Sequence, residues 1–226
     1  DADLAVFPEL FLSGYSLREV VRAARAAGGA ELAAVADAAR AASTAVVVGF
    51  VERTADGVAN SVACIERDGT LRCVYRKVQL FGAETDAFVP GRELVVVELA
   101  GRRVAPLICF DVEFPELARR LAVAGADLLV TASANMEPFY ADHDVATRAR
   151  ALENRIPHLY ANLVGSSGPL RFVGGSRSIG PGGDVLTEAA HTREEVLVAS
   201  VAPAGADDER VDYVRQLPQD VPVVVA

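Results

Sequence analysis

The chain has 226 residues, 51% of them hydrophobic and 23% charged, which excludes an intrinsically disordered protein and is enough for a domain with a sizeable core. Its 31 acidic residues outnumber the 22 basic ones, so the net charge of −9 argues against nucleic acid or an anionic membrane as the main partner. No apolar run reaches the roughly 18 residues that a membrane-spanning helix needs.

Strands and helices alternate along the chain. Strands are predicted at residues 4–7, 44–51, 60–66, 71–75, 95–99, 104–110, 127–131, 156–162, 176–179, 185–187 and 196–201. Helices are predicted at 31–43, at 116–124 after Pro115, and at 142–154 with Asp142 or Asp144 as its cap. We expect one domain over 1–226, with a polar tail after about residue 203. The pattern predicts an α/β domain with mixed sheets, and leaves open a doubly wound sheet, a barrel or a two-sheet sandwich.

The cysteines, histidines and glycines limit which cofactors and which cellular compartment we expect. Three cysteines (Cys64, Cys73 and Cys109) are too few for a disulfide framework and are typical of a reducing compartment, so we expect a cytoplasmic protein. The three histidines are scattered and no Cys-x-x-Cys occurs, which gives no zinc motif. Glycine-rich nucleotide-binding motifs are also absent, so we expect neither a metal nor a cofactor.

Cys109 is the strongest candidate for a nucleophile. It follows the apolar run at 104–108 and precedes Pro115, which opens a predicted helix. A nucleophile on a strand-to-helix turn is held rigidly, and the turn offers backbone N–H groups to a developing oxyanion. Alternatively, Cys109 is a small buried hydrophobic residue, which is the usual fate of a free cysteine.

A cysteine nucleophile needs a base, and the sequence offers a carboxylate more readily than a histidine. His143 begins a helix, His158 lies in an apolar strand and His191 lies in a polar loop, so we expect each to be solvated or packed in the core. Glu9 follows the first strand, where burial would suit it to act as a base; alternatively it is a helix N-terminal carboxylate. Lys77 ends a hairpin strand, where it is either solvated or positioned to hold an oxyanion.

Three segments around these residues carry a family resemblance. Residues 7–15, 75–82 and 107–116 resemble the signature segments of the nitrilase-like carbon–nitrogen hydrolases, in the same order and at matching intervals. Glu9 and Lys77 are 68 residues apart, and Lys77 and Cys109 are 32 apart. Segments 88–91, 134–138, 148–154 and 172–176 resemble further family motifs, so the resemblance covers nearly the whole chain.

The resemblance implies a four-layer α-β-β-α sandwich with two mixed sheets. Members of this family often pair through a helical face, so we expect a homodimer or a larger homo-oligomer. They also begin with an additional strand and helix before the segment that matches residues 1–7, and we expect that unit to be missing here. A missing strand would leave one sheet burying less apolar area.

The resemblance also assigns catalytic roles. It implies that Glu9 is the general base, that Cys109 is the nucleophile and that Lys77 stabilises the oxyanion together with the backbone N–H of Phe110. Glu84 corresponds to a second acidic residue near the lysine, and we expect it to orient Lys77; alternatively it is a solvated loop carboxylate. The implied reaction passes through a thioester on the cysteine.

The substrate is expected to be a small aliphatic amide. Residues 109–116 and 134–138 look closest to the branch that hydrolyses ω-amino amides such as 5-aminopentanamide. Glu113 stands near the place where other branches have an arginine, so we expect it to attract a distal amine; alternatively it forms a salt bridge to Arg119 or Arg120. Asn135 and Met136 are expected to line the pocket.

Two aromatic residues, Tyr15 and Phe139, are expected to wall the pocket. Competing interpretations are a nitrilase, an N-carbamoyl amine hydrolase and an ω-amidase, all with the same three residues. A non-catalytic relative that acts as a binding module is a further alternative.

Cys64 and Cys73 flank a predicted hairpin turn at Asp68-Gly69. A two-residue turn would place the two thiols opposite each other, whereas a three-residue bulged loop would break that register. We expect both to be reduced packing residues.

Overall fold

The structure is a computed structural model and describes residues 2–202, 213, 214 and 216. The polar tail predicted after about residue 203 lies almost entirely outside the described residues. The strands are β1 (Leu4–Val6), β2 (Ala45–Thr54), β3 (Gly57–Ile65), β4 (Leu71–Arg76), β5 (Val97–Leu99), β6 (Arg102–Ile108), β7 (Leu128–Ser133), β8 (His158–Asn162), β9 (Val164–Ser167), β10 (Leu170–Val173), β11 (Arg177–Ile179) and β12 (Val185–Glu188). The helices are α1 (Val20–Ala23), α2 (Ala30–Ala42), α3 (Glu84–Ala87), α4 (Pro115–Val123) and α5 (Tyr140–Asn154), and Cys109–Glu113 form a 3₁₀ turn.

Both main sheets are mixed. The first has the order β1-β2-β3-β4, in which β1 runs parallel to β2 and the other neighbours are antiparallel. The second has the order β12-β11-β8-β7-β6-β5, with β6, β7 and β8 parallel and its outer strands antiparallel. A separate hairpin joins β9 and β10.

The alternation of side chains along β2 shows how the layers are built. Val47 packs between the two sheets, whereas Val46 and Val48 point to the opposite face and pack with Leu32 of α2. On the second sheet, Leu107 of β6 packs outward against α4, and α5 contacts β8 and β11. Helices therefore cover the outer face of each sheet, which confirms the α-β-β-α sandwich with two mixed sheets.

Several predicted element boundaries are wrong for local reasons. The strand predicted over 104–110 ends at Ile108, because the chain turns into the 3₁₀ segment there. Neither Asp142 nor Asp144 caps α5: its N-cap is Phe139, which makes no side-chain capping bond, and Asp144 pairs with Arg177. Residues 196–201 form no strand. No helix in the described part of the chain combines the length and apolar character needed to cross a membrane.

The β3–β4 hairpin places Cys64 opposite Cys73, as predicted, but by a different route. Its loop has three residues, 67–69, closed by a hydrogen bond from the Glu66 N–H to the Thr70 carbonyl. The register then shifts between Ile65 and Cys64, and this irregularity restores the pairing that the longer loop would have broken. Both thiols are free.

Candidate active site

Three strand ends bring the predicted catalytic residues together. Glu9 lies just beyond β1, Lys77 directly follows β4, and Cys109 directly follows β6. The Glu9 N–H approaches the Ser133 carbonyl at the end of β7 (N···O 3.4 Å), so the loop after β1 crosses from the first sheet to the second. The site is therefore assembled from both sheets.

Lys77 lies between two carboxylates in the interior. Its Nζ is 2.7 Å from Glu9 Oε1 and 2.7 Å from Glu84 Oε2, and all three side chains are at most 1% exposed. Glu84 is thus in direct contact with Lys77, and the alternative of a solvated loop carboxylate is wrong. With both carboxylates ionised, one lysine and two glutamates leave a net negative charge beside the thiol.

Further donors hold the two carboxylates in place. Asn60 Nδ2 donates to Glu9 Oε1 at 2.6 Å and to Glu84 Oε1 at 3.2 Å. The Tyr15 hydroxyl also donates to Glu84 Oε1, at 2.9 Å, and the Phe81 N–H donates to Glu84 Oε2 at 2.8 Å. Glu9 Oε2 is buried and has no hydrogen-bond partner among the described residues. That oxygen is the acceptor left for a proton from outside this cluster.

The electrostatics of the cluster suit Glu9 to act as a base. Burial raises the pKa of Glu9 above its ordinary value, although the Lys77 ammonium opposes the change. Burial alone would lower the pKa of Lys77, but Glu9, Cys109 and Glu84 outweigh it and the net pKa is raised. Lys77 therefore keeps its proton, while Glu9 binds a proton more readily than an exposed carboxylate does.

Cys109 sits on a strained turn between β6 and the 3₁₀ segment. Its φ of 45° lies in the left-handed region, which a residue other than glycine adopts only when its surroundings enforce it. Burial raises the pKa of the thiol, Glu9 raises it further and Lys77 opposes the change. The resting group is therefore a thiol rather than a thiolate, and a base must remove its proton when it attacks.

A pocket opens onto Cys109 and Lys77. All six predicted substrate-binding residues line it: Tyr15, Phe110, Glu113, Asn135, Met136 and Phe139. Three further lining residues were not predicted: Phe81, Ala134 and His143. Most of the lining is apolar or aromatic, which is typical of a site for a small organic molecule.

His143 is buried, in agreement with one of the two expected alternatives, but its place in the pocket wall was not predicted. It is buried and lines the pocket, where its Nε2 lies 3.3 Å from Glu113 Oε1. Within the described residues, Glu113 contacts His143 and forms no salt bridge with Arg119 or Arg120. Arg119 instead donates to the Glu153 carbonyl. Residues 140–150 carry no sequence signal for this placement, because the contact depends on how α5 packs against the 3₁₀ turn.

Asp111 was also missed, although it lies only two residues after Cys109. It is fully buried and accepts hydrogen bonds of 2.8–3.2 Å from the N–H groups of Val78, Gln79 and Ile108 and from the Tyr75 hydroxyl. Burial raises its pKa to about 6, against the effect of these donors. One carboxylate thus ties the segment after Lys77 to the turn that holds Cys109.

Comparison with known proteins agrees with this geometry. Residues 1–210 match the family model for carbon–nitrogen hydrolases. The chain belongs to the carbon–nitrogen hydrolase family. As a member of that family it is a hydrolase of the amidase and nitrilase type, and a Glu-Lys-Cys triad is characteristic of the family.

Individual relatives place it within the nitrilase superfamily. It is 44% identical to "Hydrolase in pqqF 5'region" from Pseudomonas protegens, over 84% of this chain and 68% of that protein. It is 38% identical to an (R)-stereoselective amidase from Pseudomonas sp., over 87% of this chain and 71% of the relative. A solved amidase mutant from Nesterenkonia sp. AN1 carries the acetamide moiety of fluoroacetamide on its active-site cysteine. That structure has a TM-score of 0.77 and 32% identity, covering 84% of this chain and 74% of the neighbour.

Proposed function

We propose that the protein hydrolyses a small aliphatic amide to a carboxylate and ammonia through a thioester on Cys109. The observation that carries this proposal is the state of Glu9. Lys77 holds its Oε1, whereas its buried Oε2 has no hydrogen-bond partner in the described part of the chain, and Lys77 and Cys109 both line the pocket. A base with one free oxygen, a protonated thiol and a fixed ammonium are the three groups that acyl transfer to cysteine needs.

Acylation begins when Glu9 takes the thiol proton as the Cys109 sulfur attacks the amide carbonyl carbon. The C=O electron pair moves to oxygen, and the oxyanion is stabilised by the Lys77 ammonium and the backbone N–H of Phe110. Glu9 then gives its proton to the amide nitrogen, the C–N bond breaks and ammonia leaves. The thioester and an ionised Glu9 remain.

Deacylation uses the same groups with water as the nucleophile. Glu9 takes a proton from the water, whose oxygen attacks the thioester carbonyl, and Lys77 again stabilises the oxyanion. When the C–S bond breaks, the sulfur regains the proton from Glu9 and the carboxylic acid is released. Lys77 stays protonated throughout, so its role is electrostatic, and Glu84 fixes its position from the other side.

For the substrate we propose an amide with a distal amine. Glu113 lines the pocket beside three phenylalanine rings, with Phe81 centred 5.3 Å from both Phe110 and Phe139. A carboxylate next to aromatic rings favours an ammonium group, because the negative charge attracts a cation and so does the face of an aromatic ring. The same carboxylate repels a substrate that carries its own carboxylate.

Ammonia release tests the proposal on a panel of 5-aminopentanamide, hexanamide, a dicarboxylate monoamide, an N-carbamoyl amine and an aliphatic nitrile. We expect the amino amide to give the highest kcat/KM. Cys109→Ala should abolish turnover with the circular dichroism unchanged, and Cys73→Ala is the matched cysteine control with full activity. An active Cys109→Ala would refute the mechanism, whereas preference for the monoamide or the nitrile would refute the proposed substrate.

The thioester has its own test. Wild-type enzyme quenched in acid during turnover should carry the mass of the acyl group on the peptide that contains Cys109. Glu9→Gln should slow both formation and loss of this adduct, because Glu9 acts in both half-reactions. Turnover without any adduct in a rapid-quench series would argue for direct attack by water.

A further inference from the structure

His143 lies in the pocket wall, and the catalytic steps do not use it. Its side chain belongs to α5 and is buried, and both ring nitrogens have polar partners. Nδ1 is 2.8 Å from the Tyr160 hydroxyl, and Nε2 is 3.3 Å from Glu113 Oε1. A histidine with a carboxylate on one side and a hydroxyl on the other has a fixed ring orientation.

The contacts of His143 continue on the side away from Glu113. The Tyr160 hydroxyl is 3.0 Å from Ser133 Oγ, and His143 Nδ1 is itself 3.5 Å from the same oxygen. Tyr160 and Ser133 therefore hold the imidazole ring from the side opposite to Glu113.

One tautomer of the neutral His143 ring suits both of its partners. A carboxylate accepts hydrogen bonds, so a proton on Nε2 faces Glu113, and Nδ1 is then an acceptor for the Tyr160 hydroxyl. Burial lowers the pKa of His143, and Lys77 and Arg177 lower it further while Glu113 opposes them. The ring is therefore neutral near pH 7 and orients the Glu113 carboxylate without cancelling its charge.

We propose that His143 is a positioning residue for substrate discrimination: it holds Glu113 in the orientation that receives the distal ammonium of an amino amide. This inference rests on the proposed function and goes beyond it, because it assigns the specificity to a pair of residues rather than to Glu113 alone. A carboxylate on a flexible side chain discriminates poorly unless its rotamer is held, and His143 Nε2, 3.3 Å from Glu113 Oε1, is the group placed to hold it.

His158 provides a matched comparison within the same fold. It is also fully buried, but both of its ring nitrogens have uncharged partners. Nε2 lies 2.8 Å from Thr131 Oγ1, and Nδ1 lies 3.0 Å from the Thr147 carbonyl oxygen. It does not line the pocket. A substitution there tests the general effect of removing a buried histidine.

The experiment is a double-mutant cycle read as a ratio of specificities. The ratio compares kcat/KM for 5-aminopentanamide with kcat/KM for hexanamide, which has a methyl group in place of the ammonium. We expect Glu113→Gln to lower the ratio by about tenfold or more and His143→Ala to lower it by about tenfold, in line with a charge-assisted hydrogen bond. His143→Gln, which keeps an N–H donor, should retain more of the ratio than His143→Ala.

Coupling decides the outcome. If His143 acts through Glu113, His143→Ala should change the ratio little once Glu113 is glutamine, and His158→Gln should leave it unchanged. Equal losses on both amides in His143→Ala, or an undiminished drop of the ratio in the Glu113→Gln background, would overturn the inference. If no amide yields ammonia, the proposed function fails, but the inference can still be tested. Calorimetry then compares the affinities of Cys109→Ala for 5-aminopentanamide and for hexanamide, and equal affinities would overturn the inference.

Discussion

At the scale of single residues, the site depends on placing three charges in a region that excludes water. Lys77 is stable there because Glu9 and Glu84 each contact its ammonium, and their mutual repulsion is reduced by the same cation. The arrangement leaves the thiol of Cys109 protonated at rest. In the proposed mechanism, the catalytic advantage lies in a base of raised pKa next to a fixed positive charge, and not in a preformed thiolate.

Asp111 gives a prediction about pH. Its pKa is about 6 in the folded protein, against 3.8 for an ordinary aspartate, so the folded state binds the proton more tightly than the unfolded state. The stability associated with this group is greatest below pH 3.8 and is lost as the pH rises through 6. Over that interval the loss should be about 3 kcal/mol.

Urea unfolding between pH 4 and pH 8 measures this effect. The free energy of unfolding of the wild type should fall with pH more steeply than that of Asp111→Asn, which has no titrating group at this position. Asp37→Asn, which removes an exposed carboxylate paired with Arg40, should follow the wild type. Parallel pH profiles for the wild type and Asp111→Asn would contradict the assigned pKa.

The sequence was sufficient to predict some of these residues and not others. Glu9, Lys77 and Cys109 were predicted because each follows a strand and all three lie in segments of known spacing. Asn60 and His143 were not, because their contacts come from β3 and α5, and those elements show no local pattern that separates a site residue from a core residue. Buried polar residues become informative only when their partners across the fold are known.

At the scale of elements, strand β2 leaves room for the loop that carries Glu9, because it has a glycine where the two are in contact. A Cβ on Gly49 would lie 2.4 Å from the Pro8 carbonyl oxygen and 2.5 Å from the Leu10 N, and both are backbone atoms that cannot move independently. The loop is further held by a hydrogen bond from the Leu12 N–H to the Gly49 carbonyl. The position of Glu9 is thus set by the absence of a side chain at one strand position.

Gly49→Ala should therefore displace Glu9 and lower kcat by about 100-fold, since misplacement by about 1 Å has an effect of that size. Gly28→Ala is the matched control, because a Cβ there meets no atom within 4 Å, and its kcat should stay within about twofold of the wild type. Steady-state ammonia release is measured on protein that circular dichroism shows to be folded. A wild-type kcat in Gly49→Ala would contradict the prediction that a side chain at this position displaces Glu9 and lowers activity.

Element boundaries were predicted where periodicity is strong and missed where tertiary contacts decide. The strand before Cys109 was predicted to continue to residue 110. In the structure the carboxylate of Asp111 accepts a hydrogen bond from the Ile108 N–H, and the chain turns there instead. The β9–β10 hairpin was missed because its strands are short and β9 contains a glycine, Gly165. Its position depends on pairing with residues near the pocket, such as the bridge between Met136 and Phe172.

At the scale of the whole molecule, the site exists only when the two sheets are packed together. Glu9 and Lys77 come from the first sheet, whereas Cys109 follows a strand of the second, and Asp111 connects the two sides through Val78 and Gln79. The core between the sheets, which includes Val47, is apolar and fixes their separation. A bound substrate that touches both sides should consequently stabilise the docking of the sheets as well as the local loops.

Cys109→Ala makes this measurable, because it should bind an amide without turning it over. A ligand at about 100 times its dissociation constant should raise the free energy of unfolding by about 2.7 kcal/mol. Hydrogen exchange should slow in both β3 and β7, since both contribute residues around the site, whereas 1-hexanol, which lacks the amide, should have a smaller effect.

The double variant Cys109→Ala with Glu113→Gln provides the control. Hexanamide should raise its free energy of unfolding as much as before, and 5-aminopentanamide should raise it less. Protection confined to strands of the second sheet would contradict a binding site shared by the two sheets, because a ligand that contacts only one layer has no means of strengthening the other.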